Sequence, residues 1–402
     1  MLYLVALLPL IELTFSKNVF EKDSLRRKLP LEALSTRPYT NMLVSTLGLR
    51  FSFCKLASVA SSETRKELML ALGFDNNSKI KLCYQNIKDP LKKLEEADLI
   101  FLNKIYVNYL DSIDANFITN SSEDFGVQVD KVGFNYPKYA ATFINKWIDA
   151  ASFKRMPEII GPNDLTQDTS MIFLSAAYLK TTWETPFDIR FTKDVRFHHF
   201  DRKISFVPMM TKTDSFMYFY DKTNNLQILN LKMGPSRSSI TFILPLNSLM
   251  LPTILKKISQ EPKFLKNIKD LMRFTFVRVT LPRFKIKTNF DWTELLQQFV
   301  SKQIFNTSYS GLEGMLNTNG TTKNVYLSKV KQNNFMILDE MGVFRFVEGL
   351  RMPKLAVTEP PHNPSQKDFI ADRPFYFTVD LEPISGDRYE LFHGIFYGPE
   401  EK

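Results

Sequence analysis

Residues 171–187 read Met-Ile-Phe-Leu-Ser-Ala-Ala-Tyr-Leu-Lys-Thr-Thr-Trp-Glu-Thr-Pro-Phe. From Met171 to Leu179 the run is nearly all apolar and does not alternate with polar residues. A strand with one wet face alternates, whereas a strand covered on both faces does not. The run therefore predicts a central strand of a large sheet with other layers packed over it. Upstream, residues 137–152 are amphipathic, with Ala141, Ile144, Trp147 and Ile148 on one helical face. Residues 41–74 hold two helical patterns, the second opened by Ser62-Glu63-Thr64 and stopped at Gly73. Residues 96–118 read as a strand and a short helix. Downstream the chain turns to strands: 206–210, 216–220, 226–233, 239–246, 274–286, 324–338, 375–381 and 391–397, with one helix at 250–259. Helices first and strands after argue for an α+β class rather than a βαβ repeat.

With 402 residues, 44% of them hydrophobic, the chain can bury a large core. No Pro/Gly/Ser-rich linker, repeat or composition break divides it, so residues 17–402 read as a single domain. Residues 1–16 read as a signal peptide on the strength of the apolar run from Met1 to Ile11, cleaved between Leu13 and Lys17. Nothing after that run is long and apolar enough to cross a bilayer, and no membrane partner is read from the chain. Four sequons, at Asn76, Asn120, Asn306 and Asn319, suit a secreted glycoprotein. There are two cysteines, too few for a disulfide scaffold. Cys54 sits in an apolar helical pattern and reads as a buried thiol, a Cys54–Cys83 bridge being the alternative. The net charge of +9 is spread over interleaved acids and bases. It reads as a solvated surface. A weak glycosaminoglycan site at Lys79, Lys81, Lys88, Lys92 and Lys93 is the sharper reading, and nucleic acid has no support beyond net charge.

Catalytic chemistry is hard to find. His198 and His199 are neighbours in a strand pattern and point to opposite faces, so they cannot share a metal. His362 and His393 are isolated. No phosphate loop, zinc-peptidase motif or nucleophile elbow occurs, and the reading is a non-enzyme with no metal and no cofactor.

Many short segments, in one order, resemble the serpin family. They run from Asn41-Met-Leu-Val-Ser45 and Ile144-Asn-Lys-Trp147 through Phe173-Leu-Ser-Ala-Ala-Tyr-Leu-Lys180 with Trp183 and Pro186-Phe187. Val207-Pro-Met-Met210, Ile240-Thr-Phe-Ile-Leu-Pro245 and Leu281-Pro-Arg-Phe-Lys285 follow. The series closes with Leu312-Glu-Gly-Met315, Leu327-Ser-Lys329, Asp339-Glu-Met-Gly342, Ala371-Asp-Arg-Pro-Phe-Tyr-Phe377 and Phe392-His-Gly394 before Pro399. The resemblance implies a serpin fold of about nine helices around three β-sheets, with an exposed reactive-centre loop near residues 343–373, in a monomer. It implies a suicide substrate for a serine peptidase: the loop is cut, inserts as a strand into the main sheet and drags the acyl-enzyme with it, a known case of strand addition.

The same resemblance assigns residues. Glu340, Gly342, Val343, Arg345 and Val347 would form the hinge. Scissile-bond candidates are Leu355, Ala356 and Val357, which suit an elastase- or chymotrypsin-like enzyme, and Arg351 and Lys354, which suit a trypsin-like one. Ser45, Gly48, Ser175 and Gln332 would lie where the sheet opens, the last three standing where the family usually has Ser, Asn and His. The hinge departs from the small, uncharged run of inhibitory members, for it reads Gly342-Val-Phe-Arg-Phe-Val-Glu-Gly349. An inserted strand alternates faces, and would turn Arg345 inward. Val, Phe, Phe and Val nevertheless favour strand. Two functions stay open: an inhibitor that traps its peptidase, or a non-inhibitory member acting as a carrier, ligand or immunomodulatory binding protein.

Overall fold

The computed structural model describes residues 22–75, 80–92, 98–234, 237–261, 263–317, 324–343, 366–381 and 389–399. The expected signal peptide lies outside them. Among these residues are ten α-helices: α1 (Ser24–Arg27), α2 (Leu29–Ser35), α3 (Leu47–Val59), α4 (Ser62–Ala71), α5 (Ile80–Lys92), α6 (Ala115–Phe125), α7 (Pro137–Ala151), α8 (Leu251–Gln260), α9 (Phe264–Leu271) and α10 (Thr293–Phe299). The strands begin with β1 (Met42–Val44), β2 (Asp98–Asn108), β3 (Gln128–Val132), β4 (Met171–Trp183) and β5 (Lys193–His198). They continue with β6 (Ile204–Asp221), β7 (Leu226–Gly234), β8 (Ser238–Pro245), β9 (Arg273–Pro282) and β10 (Phe284–Asp291). The last are β11 (Leu327–Asp339), β12 (Gly342–Val343), β13 (Lys367–Ile370), β14 (Phe375–Leu381) and β15 (Tyr389–Phe396).

Their ladders join into one 15-stranded network with three sections. The first runs β3-β2-β4-β11-β10, with β4 and β11 parallel at its centre. The second runs β1-β15-β14-β8-β7. The third runs β5-β6-β9-β13. Only two residue pairs, Thr182↔Gly234 and Trp183↔Met233, tie the first section to the second.

The quoted run behaves as its composition demands. Every residue from Met171 to Leu179 is buried. Helix α3 covers one face; it is buried from Leu47 to Ala57, as suits a helix apolar nearly all round. Lys55 is tolerated there because its ammonium lies 4.5 Å from the centre of the Phe117 ring and 5.2 Å from that of Phe125. Helix α7 buries Ala140, Ala141, Ile144 and Ile148 and packs on the neighbouring strand β2, where its Trp147 ring meets that of Tyr106 with centroids 6.2 Å apart.

Three expectations need correction. The stretches 206–210 and 216–220 belong to one strand, β6, because Thr211 to Ser215 pair with β9 although they look loop-like. The stretch 274–286 is two strands, broken at Arg283, whose amide pairs instead with the Pro208 carbonyl. Cys54 is not a free thiol. It is bonded to Cys83, with α3 and α5 bringing the two Cα atoms within 6.0 Å. This bridge closes a loop of 29 residues and should stabilise the fold by about 3–4 kcal/mol in the chain-entropy picture. Thiol alkylation of denatured, unreduced protein should therefore label neither cysteine, and Cys54→Ala with Cys83→Ala should lower the unfolding midpoint.

Candidate functional site

The site is built where β4 and β11 stop pairing. Their direct register runs from Met171↔Leu327 to Tyr178↔Phe335. Beyond it, the chain leaving β11 turns at Glu340-Met341 and returns as β12 between the two strand ends. Gly342 and Val343 pair with Asp339 and Leu338 on one side, and with Thr182 and Thr181 on the other. The turn is an Asx turn: Asp339 Oδ1 accepts the amides of Met341 (2.9 Å) and Gly342 (3.2 Å). Burial raises the Asp339 carboxyl above the usual carboxylate range. Trp183 clasps the turn, its indole donating to the Asp339 carbonyl (2.8 Å) and its amide to that of Met341 (3.0 Å). Glu340 anchors it from the far side. Its Oε1 accepts the Thr192 hydroxyl at 2.6 Å, and Arg283 Nε lies 3.5 Å from its Oε2.

Gly342 has φ +140°, and a Cβ there would lie 2.4 Å from the Thr181 carbonyl oxygen and 2.6 Å from Thr182 Cα. Only glycine lets the chain enter so narrow a gap. Val343 is fully buried. Arg345, Val347 and the scissile-bond candidates Arg351, Lys354, Leu355, Ala356 and Val357 lie outside the described residues. The described chain resumes at Gln366, and β13 is held to β9 by Asp368, whose carboxylate accepts from Arg278 Nε (3.0 Å) and Nη2 (3.4 Å).

Beneath β4 and β11 lies a buried polar cluster, and Gln332 is its hub. Its register partner across the parallel ladder is Ser175. Gln332 Nε2 donates to the Ser45 carbonyl (2.6 Å) and to Ser175 Oγ (3.3 Å). Its Oε1 accepts from the Ser45 amide (3.3 Å), the Trp292 indole (3.3 Å) and Asn334 Nδ2 (2.8 Å). Ser175 Oγ donates to Asn103 Oδ1 at 3.0 Å. Gly48 makes this pair possible, since a Cβ at that position would lie 2.5 Å from Ser175 Oγ and 2.9 Å from Asn103 Oδ1. The structure thus gathers Ser45, Gly48, Ser175 and Gln332. It adds Asn103, Asn334 and Trp292, which sequence reasoning missed. The available signal was a polar residue breaking an apolar strand, as Asn103 does after Leu99-Ile-Phe-Leu102.

A strap lies over the same strands. Asn145 of α7 accepts the amides of Ile159 (3.0 Å) and Ile160 (3.3 Å) and donates to the Ile160 carbonyl (2.8 Å). Asn333 of β11 donates to the Glu158 carbonyl at 2.8 Å, Asn289 of β10 to that of Ile159 at 3.1 Å, and Lys331 pairs with Asp164. Elsewhere, Asn120 and Asn306 are exposed, while Asn76 and Asn319 lie outside the described residues. Of the basic cluster, Lys88 lies 5.0 Å over the Tyr84 ring; Lys79 and Lys93 are outside the described residues. No His, Cys, Asp and Glu group among the described residues could hold a metal.

Against known proteins, residues 27–386 match the family model described as Serpin (serine protease inhibitor). The chain is a serpin. As one, it is 25% identical over 401 residues to antitrypsin of Bombyx mori, with 98% of each chain covered, and 24% identical to the horse (Equus caballus) leukocyte elastase inhibitor, covering 90% of this chain and 94% of that one. Its fold is that of Serpin48 of Tenebrio molitor, with a TM-score of 0.79, 24% identity and coverage of 92% and 95%. It is also that of thyroxine-binding globulin in complex with thyroxine, with a TM-score of 0.78, 19% identity and coverage of 94% and 99%. Most serpins inhibit peptidases, and the class of the fold is α+β.

The hub makes a stability claim about this serpin. Gln332→Leu should strand the Ser45 amide and carbonyl and the Trp292 indole in the core. A loss of roughly 3 kcal/mol or more follows, read as a lower urea midpoint of unfolding.

Proposed function

We propose that this serpin is a secreted inhibitor of a serine peptidase, and that it acts as a suicide substrate through loop cleavage and insertion. The observation that carries the reading is the seat of Gly342 and Val343. They already occupy the first two positions of a strand between β4 and β11. Insertion would continue the same two ladders downward, exchanging the direct β4–β11 contact for one on each side of the loop. Elastase- or chymotrypsin-like enzymes are the favoured targets and trypsin-like ones the alternative, from the residues at 351 and 354–357. In this reading Ser45, Gly48, Ser175 and Gln332 govern sheet opening, and the exposed sequons carry glycans.

The hinge limits efficiency. Val343 faces the interior, and a two-residue period returns Arg345 to the same side. Burying its guanidinium unpaired costs several kcal/mol on an order-of-magnitude scale. That cost slows insertion while hydrolysis of the acyl-enzyme continues. It is also the observation that favours the second reading, a non-inhibitory serpin used as a carrier or ligand.

Incubation with pancreatic elastase, chymotrypsin and trypsin, followed by a denaturing gel, tests both. An SDS-resistant complex should form with at least one enzyme alongside cleaved protein, and Arg345→Thr should raise the ratio of complex to cleaved product several-fold. Cleavage with no complex, in both the wild type and Arg345→Thr, would reject inhibition and leave the carrier reading.

A further inference from the structure

The outward face of α7 is unusual. The helix buries Ala140, Ala141, Ile144 and Ile148, yet Tyr136 and Tyr139 on its free side are 71% and 67% exposed, and Phe143, whose ring meets the buried Tyr106 edge-on at 6.4 Å, is still 41% exposed. At 100° per residue, Tyr139, Phe143 and exposed Lys146 fall within about 60° of arc, opposite the buried stripe. The Tyr139 and Phe143 rings stack on each other with centroids 6.5 Å apart. Past the helix end the chain turns through Phe153 and Lys154, both in the left-handed region at φ +53° and +61°. A bulky residue there is strained. Phe153 is nevertheless 67% exposed and stands outside the core cluster of the described residues; the Arg155 guanidinium lies 5.8 Å from its ring centre. Strain that presents an aromatic ring to water points to a use for that ring.

The charge of this segment is predominantly positive. Between Tyr136 and Arg155 stand Lys138, Lys146, Lys154 and Arg155 against the single acid Asp149. Lys138, Lys146 and Lys154 are exposed, and none of the three is ion-paired among the described residues.

We infer that this face of α7 and the Phe153 turn seats the protein on an anionic lipid surface. Tyrosine and phenylalanine rings on a helix lying flat suit the boundary between headgroups and acyl chains. Lysines interspersed among them suit a negative leaflet rather than a neutral one. A sulfated polysaccharide would engage the lysines and leave the rings in water. The binding is peripheral: no described helix is long and apolar enough to cross a membrane.

The test is cosedimentation of the full chain with vesicles of phosphatidylcholine, alone or with roughly a third phosphatidylserine. The protein should pellet with the mixed vesicles and stay in solution with phosphatidylcholine alone. Phe143→Ser with Phe153→Asn should weaken pelleting at least tenfold, and Lys146→Glu should weaken it as well. Asparagine tolerates the left-handed turn, so Phe153→Asn alone should melt no lower than the wild type while still losing affinity, which separates binding from misfolding. No pelleting with mixed vesicles would overturn the inference. So would pelleting that both ring substitutions leave unchanged. Pelleting abolished by soluble heparin but indifferent to the rings would reassign the face to a polyanion.

Discussion

Everything specific to this molecule depends on a two-residue wedge. Gly342 and Val343 hold apart the ends of two parallel strands that otherwise bond directly to one another. The strain of that arrangement is local and identifiable. A left-handed backbone at position 342 and contact with the Thr181 carbonyl admit no side chain, and the Asp339 turn and the Trp183 clasp hold the chain in the gap. A wedge that is hydrogen-bonded on both sides resembles the beginning of a strand, so the proposed insertion requires extension of an existing ladder and no new nucleus.

What resists extension is the register below. Ser175 and Gln332 face each other across the ladder, and parting β4 from β11 separates them. The hub here is an amide where the family usually has an imidazole. A glutamine has no charge to gain between pH 5 and 8, whereas a histidine does. In the proposed insertion, parting the strands would need no protonation step at this position, though every bond of the glutamine would have to be kept or replaced. Above the sheet, Asn333 and Lys331 of β11 reach up to the strap. The same strand thus carries the hub beneath and the strap's anchors on top, and its displacement is felt on both faces.

Part of this was legible from residues alone. The buried strand announced itself because nine consecutive positions needed cover on both faces, and Gly342 lay at the end of a recognisable Asp-Glu-Met-Gly. Other parts depend on tertiary partners. Thr211 to Ser215 are polar and look like a loop, yet β9 supplies them with a complete ladder, and pairing outweighs propensity. The Cys54–Cys83 bond stood only as the alternative to a buried thiol, because α5, which delivers Cys83, has a sequence interrupted by Asn86 and Pro90. Asn103 interrupts an apolar strand and Asn334 ends a polar run, yet neither pattern names a partner, and only their bonds to Ser175 and Gln332 do. The exposed side of α7 is a further case. Only the stripe of Ala141, Ile144, Trp147 and Ile148 was legible in the sequence, and Tyr139 and Phe143 fall outside it.

The central claim is that the wedge is the start of a strand the sheet can accept. The most direct measurement is the thermal unfolding midpoint of the protein before and after a single cut between residues 351 and 357. A large rise in the midpoint of the cut form, with both fragments still associated, is the expected result. A midpoint that is unchanged or lower after cutting would mean that the loop stays outside the sheet, and would contradict the account.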